Sequence, residues 1–458
     1  MKKNHLIGKT TAAAILAAAL AISSLSGCGQ ATSTSGSSTA SMSSSMSTPP
    51  SGSKPSGSQP SGAPGKPGGG QSAKDITYTG ATTFSSDTTE ADKTYESSTD
   101  SQQALLASGG TSTITGAKVN KTGTADGDEA DFYGTNAAVL AYNGATLNIK
   151  GGTVKTDGTH ANAVFAYGTG TINISDATVE TSSDCSGGIM VTGGGTLTAS
   201  NLTVETQGRS SAAIRSDRGG GTMTVTGGIF TTNGVGSPAV YSTADISVKD
   251  ATLISNVSEG LIVEGKNSIS IDNCTVEDTN TKLNSNSGTY KNIFLYQSMS
   301  GDADEGTASF TAKNSKITTN KGDTIFVTNT TAKVYLENNT IVNNDGDFLR
   351  IEAGKWGNEG KNGGTVTLEM VKQKVEGSII VDAISSLEIS LKSESELTGA
   401  IDTENQAKNV KLTLSKDSVL NLTADTYVDS LENELSDNSN IHANGHKLYV
   451  GGKEVSIG

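Results

Sequence analysis

The chain has 458 residues, a net charge of −14, and only 4% aromatic residues. A chain this acidic lacks the basic stripe that nucleic acid requires, and it disfavours acidic polymers unless a cation bridges the two. With so few rings the core has to come from Val, Ile, Leu and Ala, and 55 glycines beside abundant Ser, Thr and Asn fit a turn-dense all-β chain.

Residues 1–27 read as an export signal. Lys2, Lys3, His5 and Lys9 form a charged start, and AAAILAAALAI forms an apolar run too short to span a membrane comfortably. The signal ends in Leu25-Ser26-Gly27-Cys28, which resembles the lipobox of bacterial lipoproteins. The resemblance implies cleavage before Cys28 and lipid on that cysteine. The mature protein is then expected outside the cytoplasm, on the cell surface, attached to the membrane only through its lipid. Residues 28–74 are rich in Ser, Thr, Pro and Gly. They offer almost no apolar side chains to offset the entropy of ordering, so a disordered tether is expected.

Residues 75–110 are expected to form an N-terminal cap, with DITYTGATTFSS as a strand pair and QQALLA as a short helix or strand. From 111 to 435 the sequence repeats itself. TLNIKGGTV, TINISDATV, TLTASNLTV, TMTVTGGIF and DISVKDATL begin at Thr146, Thr171, Thr196, Thr222 and Asp245, spaced 23–26 residues apart. Each unit holds three short alternating runs separated by Gly, Asn, Asp or Ser. One unit has too little apolar surface to fold alone, and stacked units bury a continuous core. The expected fold is an all-β solenoid of about twelve three-strand coils, roughly 55–60 Å long. Residues 436–458 are expected to close it, with Asn444-Gly445 as a hairpin turn.

This pattern resembles the right-handed parallel β-helix of pectate lyases, polygalacturonases and bacterial surface adhesins. The stretches ADFYGTNAAVLAYNGATLNIKGGTV and AAIRSDRGGGTMTV also look like anchored surface β-helix proteins of Gram-positive anaerobes. Some such chains are regarded as carbohydrate-binding, which implies a polysaccharide or cell-surface glycan as partner and a monomeric protein.

Aligning the coils places Val139, Val164, Ile189, Ile214 and Val240 in one inward column. The next residues, Leu140, Phe165, Met190, Arg215 and Tyr241, point outward. Two positions further on the same face come Tyr142, Tyr167, Thr192, Asp217 and Thr243. Tyr142, Phe165, Tyr167 and Tyr241 beside Arg215 and Asp217 are therefore the candidate ligand face: rings stack on apolar sugar faces while Arg and Asp hydrogen-bond hydroxyls or carboxylates. The plain alternative is that these side chains pack beneath a loop or a cap.

Two further constellations are candidates. The chain has four arginines, and Arg209, Arg215 and Arg218 fall within ten residues. Arg215, Asp217 and Arg218 with calcium could serve the β-elimination of a uronan. Asp126, Asp128, Glu129 and Asp131 cluster carboxylates as a hard cation needs, without the full EF-hand pattern. Cys274 occupies the inward position held by Ala177, Leu202 and Ala251 in other coils, and Cys185 lies in a turn four coils away. That separation is roughly 19 Å, beyond the reach of a disulfide, so no intramolecular disulfide is expected. No paired-His zinc motif, CxxC pair, P-loop or nucleophile elbow is present.

Three functions remain, in order: a non-catalytic carbohydrate-binding or adhesin-like module, a calcium-dependent uronan lyase, and a passive surface rod. An open sheet of rings favours the first. A groove holding arginines and carboxylates favours the second, and rings buried beneath a loop favour the third.

Overall fold

The computed structural model describes residues 76–283 and 288–457. The export signal, the lipid site at Cys28 and the tether lie outside the described residues. Successive coils pair in parallel, strand upon strand. One sheet has twelve strands, running from Gly80–Phe84 and Gln103–Ala107 to Ile379–Val381, and a second sheet of 22 strands carries the other two runs of most coils.

The solenoid has about 15 turns, more than the twelve expected. At the N-terminal end Gly80–Phe84 already pairs in parallel with Gln103–Ala107. At the other end Leu448–Val450 stacks in parallel on Thr426–Val428. These terminal coils alternate less regularly in sequence than the central ones. At the usual interstrand spacing the stack is roughly 70 Å long.

Asn444 and Gly445 do adopt left-handed backbone, at φ 49° and 88°. Their turn is a solenoid corner, because Ile441–His442 and Leu448–Val450 pair with different strands. The antiparallel hairpin comes one turn later, joining Leu448–Val450 to Lys453–Val455. Two left-handed residues suit either geometry, so the dipeptide alone does not distinguish them.

The inward column forms as expected. Val139, Val164, Ile189, Ile214 and Val240 align in register and are fully buried. Each such side chain contributes roughly 1.5–3 kcal/mol of hydrophobic burial. Cys274 is a buried free thiol, in keeping with its column. The absence of any disulfide does not hold, because Cys185 is disulfide-bonded.

A buried hydroxyl ladder runs alongside this core. Thr156, Thr181, Thr206, Thr232, Ser255, Asp278 and Thr319 align coil by coil. Thr181 donates to the Ser186 carbonyl at 2.6 Å and Thr206 to the Ser211 carbonyl at 2.5 Å, each closing a turn. Asp278 is the exception, since no side chain among the described residues hydrogen-bonds its buried carboxylate and the backbone of Asn280 offers it only a weak contact. Burial, reinforced by Glu259, pushes its carboxyl up to about 9.

The irregular stretch after Asp278 contains a complete strand, Lys291–Tyr296, seated between Leu261–Glu264 and Asp323–Thr328. What reads in sequence as one insertion is therefore two excursions flanking a coil.

Candidate functional site

The outward column also forms in the expected register. Leu106, Leu140, Phe165, Met190, Arg215, Tyr241, Ile262, Phe294 and Phe326 follow one another along the twelve-stranded sheet. They do not form an open face. Leu140, Phe165 and Met190 are fully buried, and Arg215 and Tyr241 are 4% and 7% exposed. Three excursions of the chain cover them.

The first cover, residues 124–135, carries the short helix α1 (Asp128–Tyr133). It is fastened by Thr192, whose hydroxyl donates to the Phe132 carbonyl at 2.6 Å, and by Gln103, whose amide donates to the Gly134 and Thr135 carbonyls. Gly134, with φ 72°, lies so close that a Cβ would meet the Phe165 ring at 2.9 Å. The second cover, residues 297–306, is held by a buried polar chain. Tyr241 and Tyr296 donate to Glu264 Oε2 at 2.5 and 2.6 Å, and Ser298 donates to Glu264 Oε1. Ser298 contacts Ser300, which donates to Asp302 Oδ2 at 2.7 Å. In the third cover, residues 353–364, Trp356 packs against Tyr296 with ring centroids 5.6 Å apart.

Arg215 and Asp217 lie beneath the covers as a buried ion pair, with Nη2 to Oδ2 at 3.0 Å. Burial raises the Asp217 carboxyl to about 7 against the opposing pull of Arg215. This pair is placed to hold structure together. Arg218 behaves differently and reaches the surface between the first two covers. Its guanidinium stacks on Phe132 at 3.9 Å, its Nε donates to Asp302 Oδ1 at 2.6 Å, and Asp128 lies 3.7 Å from its Nη1.

Between the covers opens a cleft of about 630 Å³. This falls within the roughly 300–1,000 Å³ typical of small-ligand sites. Tyr133 and Tyr167 form one wall, edge to face at 5.7 Å. Gly219, Gly220 and Gly221 floor it with bare backbone, and Arg218 and residues 300–304 also line it. A Cβ on Gly193 would strike the Tyr167 ring at 2.7 Å, so glycine there keeps the ring in place. Thr243, Asp245, Lys266 and Asn267 complete the rim. Tyr142 stands outside the cleft, stacked obliquely on Tyr78 at 4.6 Å.

Of the expected ligand face, Tyr167 alone lines the cleft. Phe165, Arg215, Asp217 and Tyr241 are buried and do not line it. Sequence reasoning missed Tyr133, Asp302 and Asp304. The signal for Tyr133 was the aromatic pair Phe132-Tyr133 inside an otherwise polar insertion.

The acidic loop does not converge on one centre. Asp126, Asp128 and Glu129 are exposed, while Asp131 is buried with an oxygen 3.1 Å from His160 Nδ1. Among the described residues, the one group of metal-capable side chains gathered within 4.8 Å is Asp131, His160 and Cys185. The disulfide at Cys185 removes its thiolate from that set.

With this architecture in view, comparison with known proteins is informative. Residues 162–341 match the model of a protein family described as a right-handed beta helix region. The parallel coils and this match define the protein as a right-handed parallel β-helix. No curated protein matches the chain.

Proposed function

We propose that this is a lipid-anchored cell-surface β-helix that binds carbohydrate in the cleft between its covers and performs no catalysis there. The observation that carries the reading is the cleft itself. It combines the Tyr133–Tyr167 wall, a glycine floor and a rim of Asp, Asn, Ser and Lys side chains. Rings supply apolar faces for pyranose stacking, and the bare floor lets a flat sugar approach the backbone. The rim offers donors and acceptors for hydroxyls.

The cleft also holds an arginine and several carboxylates, the feature expected of a lyase. Elimination needs a base that takes a proton from the sugar. Arg218 is paired with Asp302 at 2.6 Å and Lys266 with Asp304 at 2.8 Å. Asp302 and Asp128 hold Arg218 in its charged form, which opposes its use as a base. The rod reading draws on the burial of Phe165 and Tyr241, but it leaves the cleft without a purpose.

The test is retention of the protein on soluble and insoluble polysaccharides, with and without calcium, while absorbance of an unsaturated sugar product is read in the same tubes. Retention without absorbance is expected. Calcium-dependent absorbance would establish a lyase, and neither signal would leave a protein-binding adhesin or a rod.

A further inference from the structure

Resting on the glycan reading above, we infer that the cleft takes an uncharged polysaccharide segment and turns away polyuronates. The argument is the state of its cations before any ligand arrives. Arg218 and Lys266 are the two cations that line the cleft, and each is already bound to a carboxylate, Asp302 at 2.6 Å and Asp304 at 2.8 Å. Asp128 stands 3.7 Å from the same guanidinium, whose face is occupied by the Phe132 ring. A uronate carboxylate reaching Arg218 would therefore displace or crowd two aspartates, and like charges at such range repel.

Asp245 adds a third lining carboxylate. It is exposed and, among the described residues, accepts the Ser268 hydroxyl alone, at 2.9 Å. The cleft thus carries a small excess of negative charge over its two cations. A cationic polymer finds little to pair with, since Asp302 and Asp304 are already neutralised by their partners. What the cleft does present is a set of acceptors. The carboxylate of Asp245 accepts hydrogen bonds from sugar hydroxyls, and charge-assisted bonds of this kind are roughly twice as strong as neutral ones. Asn267 and Ser300 add groups that donate as well as accept. Hydroxyls that both donate and accept, flanked by an apolar ring face, match this set.

The test uses the full chain in detergent against a neutral glucan or mannan series and polygalacturonate, at low and high salt. Retention on at least one neutral polymer is expected, changing less than about 3-fold between the two salts because no net charge is being paired. Polygalacturonate should fail to retain the protein. A double variant, Asp245→Asn with Asp304→Asn, alters two exposed side chains and relieves the excess charge. It should bind polygalacturonate measurably, at least 5-fold above the parent. Retention of the parent on polygalacturonate with no neutral polymer bound would overturn the inference and leave glycan binding intact. An unimproved double variant that still binds the neutral polymer would overturn the charge argument. Failure of every polymer would overturn the glycan reading itself.

Discussion

Arg218 Nε and Asp302 Oδ1 meet at 2.6 Å although 84 residues separate them in the chain. The pair joins the two covers, because the same guanidinium lies on Phe132 of the first cover while Asp302 belongs to the second. Arg218 is about one-third exposed, at 31%, so solvent screens part of its attraction. Arg218→Ala should cost about 1–2 kcal/mol of local stability. Hydrogen exchange should quicken in residues 124–135 and 297–306 and stay unchanged in the inward column. Exchange in both covers unchanged from the parent would show that the pair is not a fastener.

Tyr167 supplies the ring wall of the cleft and is only partly buried. Tyr167→Ala removes stacking worth about 0.5–1.5 kcal/mol, so glycan retention should fall roughly 2- to 12-fold. The melting temperature should change little. Tyr142→Ala, which lies outside the cleft, serves as the contrast and should retain parental affinity.

Two buried aspartates predict how stability depends on pH. Burial raises Asp217 to about 7 and Asp278 to about 9 in the folded protein. In the unfolded chain both titrate near ~4. As pH rises above that value, the unfolded state releases protons that the native state keeps, so stability falls with rising pH. The loss is complete by about 7 for Asp217 and about 9 for Asp278. Calorimetric midpoints of Asp278→Asn should decline less between these limits than those of the parent. Asp278→Thr should be more stable than the parent at neutral pH, since a hydroxyl restores the ladder formed by Thr232, Ser255 and Thr319. A parallel decline in parent and variant would show that Asp278 is solvated or paired in solution.

The lipid anchor and a disulfide compete for sulfur. If Cys28 carries lipid, its thiol is consumed by the thioether. Mass spectrometry of the membrane-extracted protein should find a lipidated N-terminal peptide beginning at Cys28. A peptide in which Cys28 is disulfide-linked to Cys185 would overturn the anchor.

The fold was legible because each coil must repeat the same inward residues. Val139, Val164, Ile189, Ile214 and Val240 announce a column at one period, and packing leaves no other register. The outward column was legible in order but not in exposure. Nothing in Phe165 or Tyr241 indicates whether water or a cover lies above, because that depends on segments that do not repeat. The covers are polar in sequence and resemble loops. Their attachment depends on single long-range contacts, such as Thr192 to Phe132 and Ser298 to Glu264, which leave no periodic trace. Asp302 sits in QSMSGDADEG, where neither spacing nor composition marks it as the partner of Arg218.

Because each coil otherwise touches only its neighbours, a stack of this kind yields to tension by peeling one turn at a time from the pulled end. The bond between Arg218 and Asp302 ties two corners three coils apart, and the same guanidinium stacks on Phe132 of α1, so a load arriving through residue 76 meets this clasp before it can peel the coils it spans. The covers therefore make the middle of the rod a mechanical block. A pulling experiment should record small, evenly spaced yields from the first coils, then one larger event when the clasp gives way.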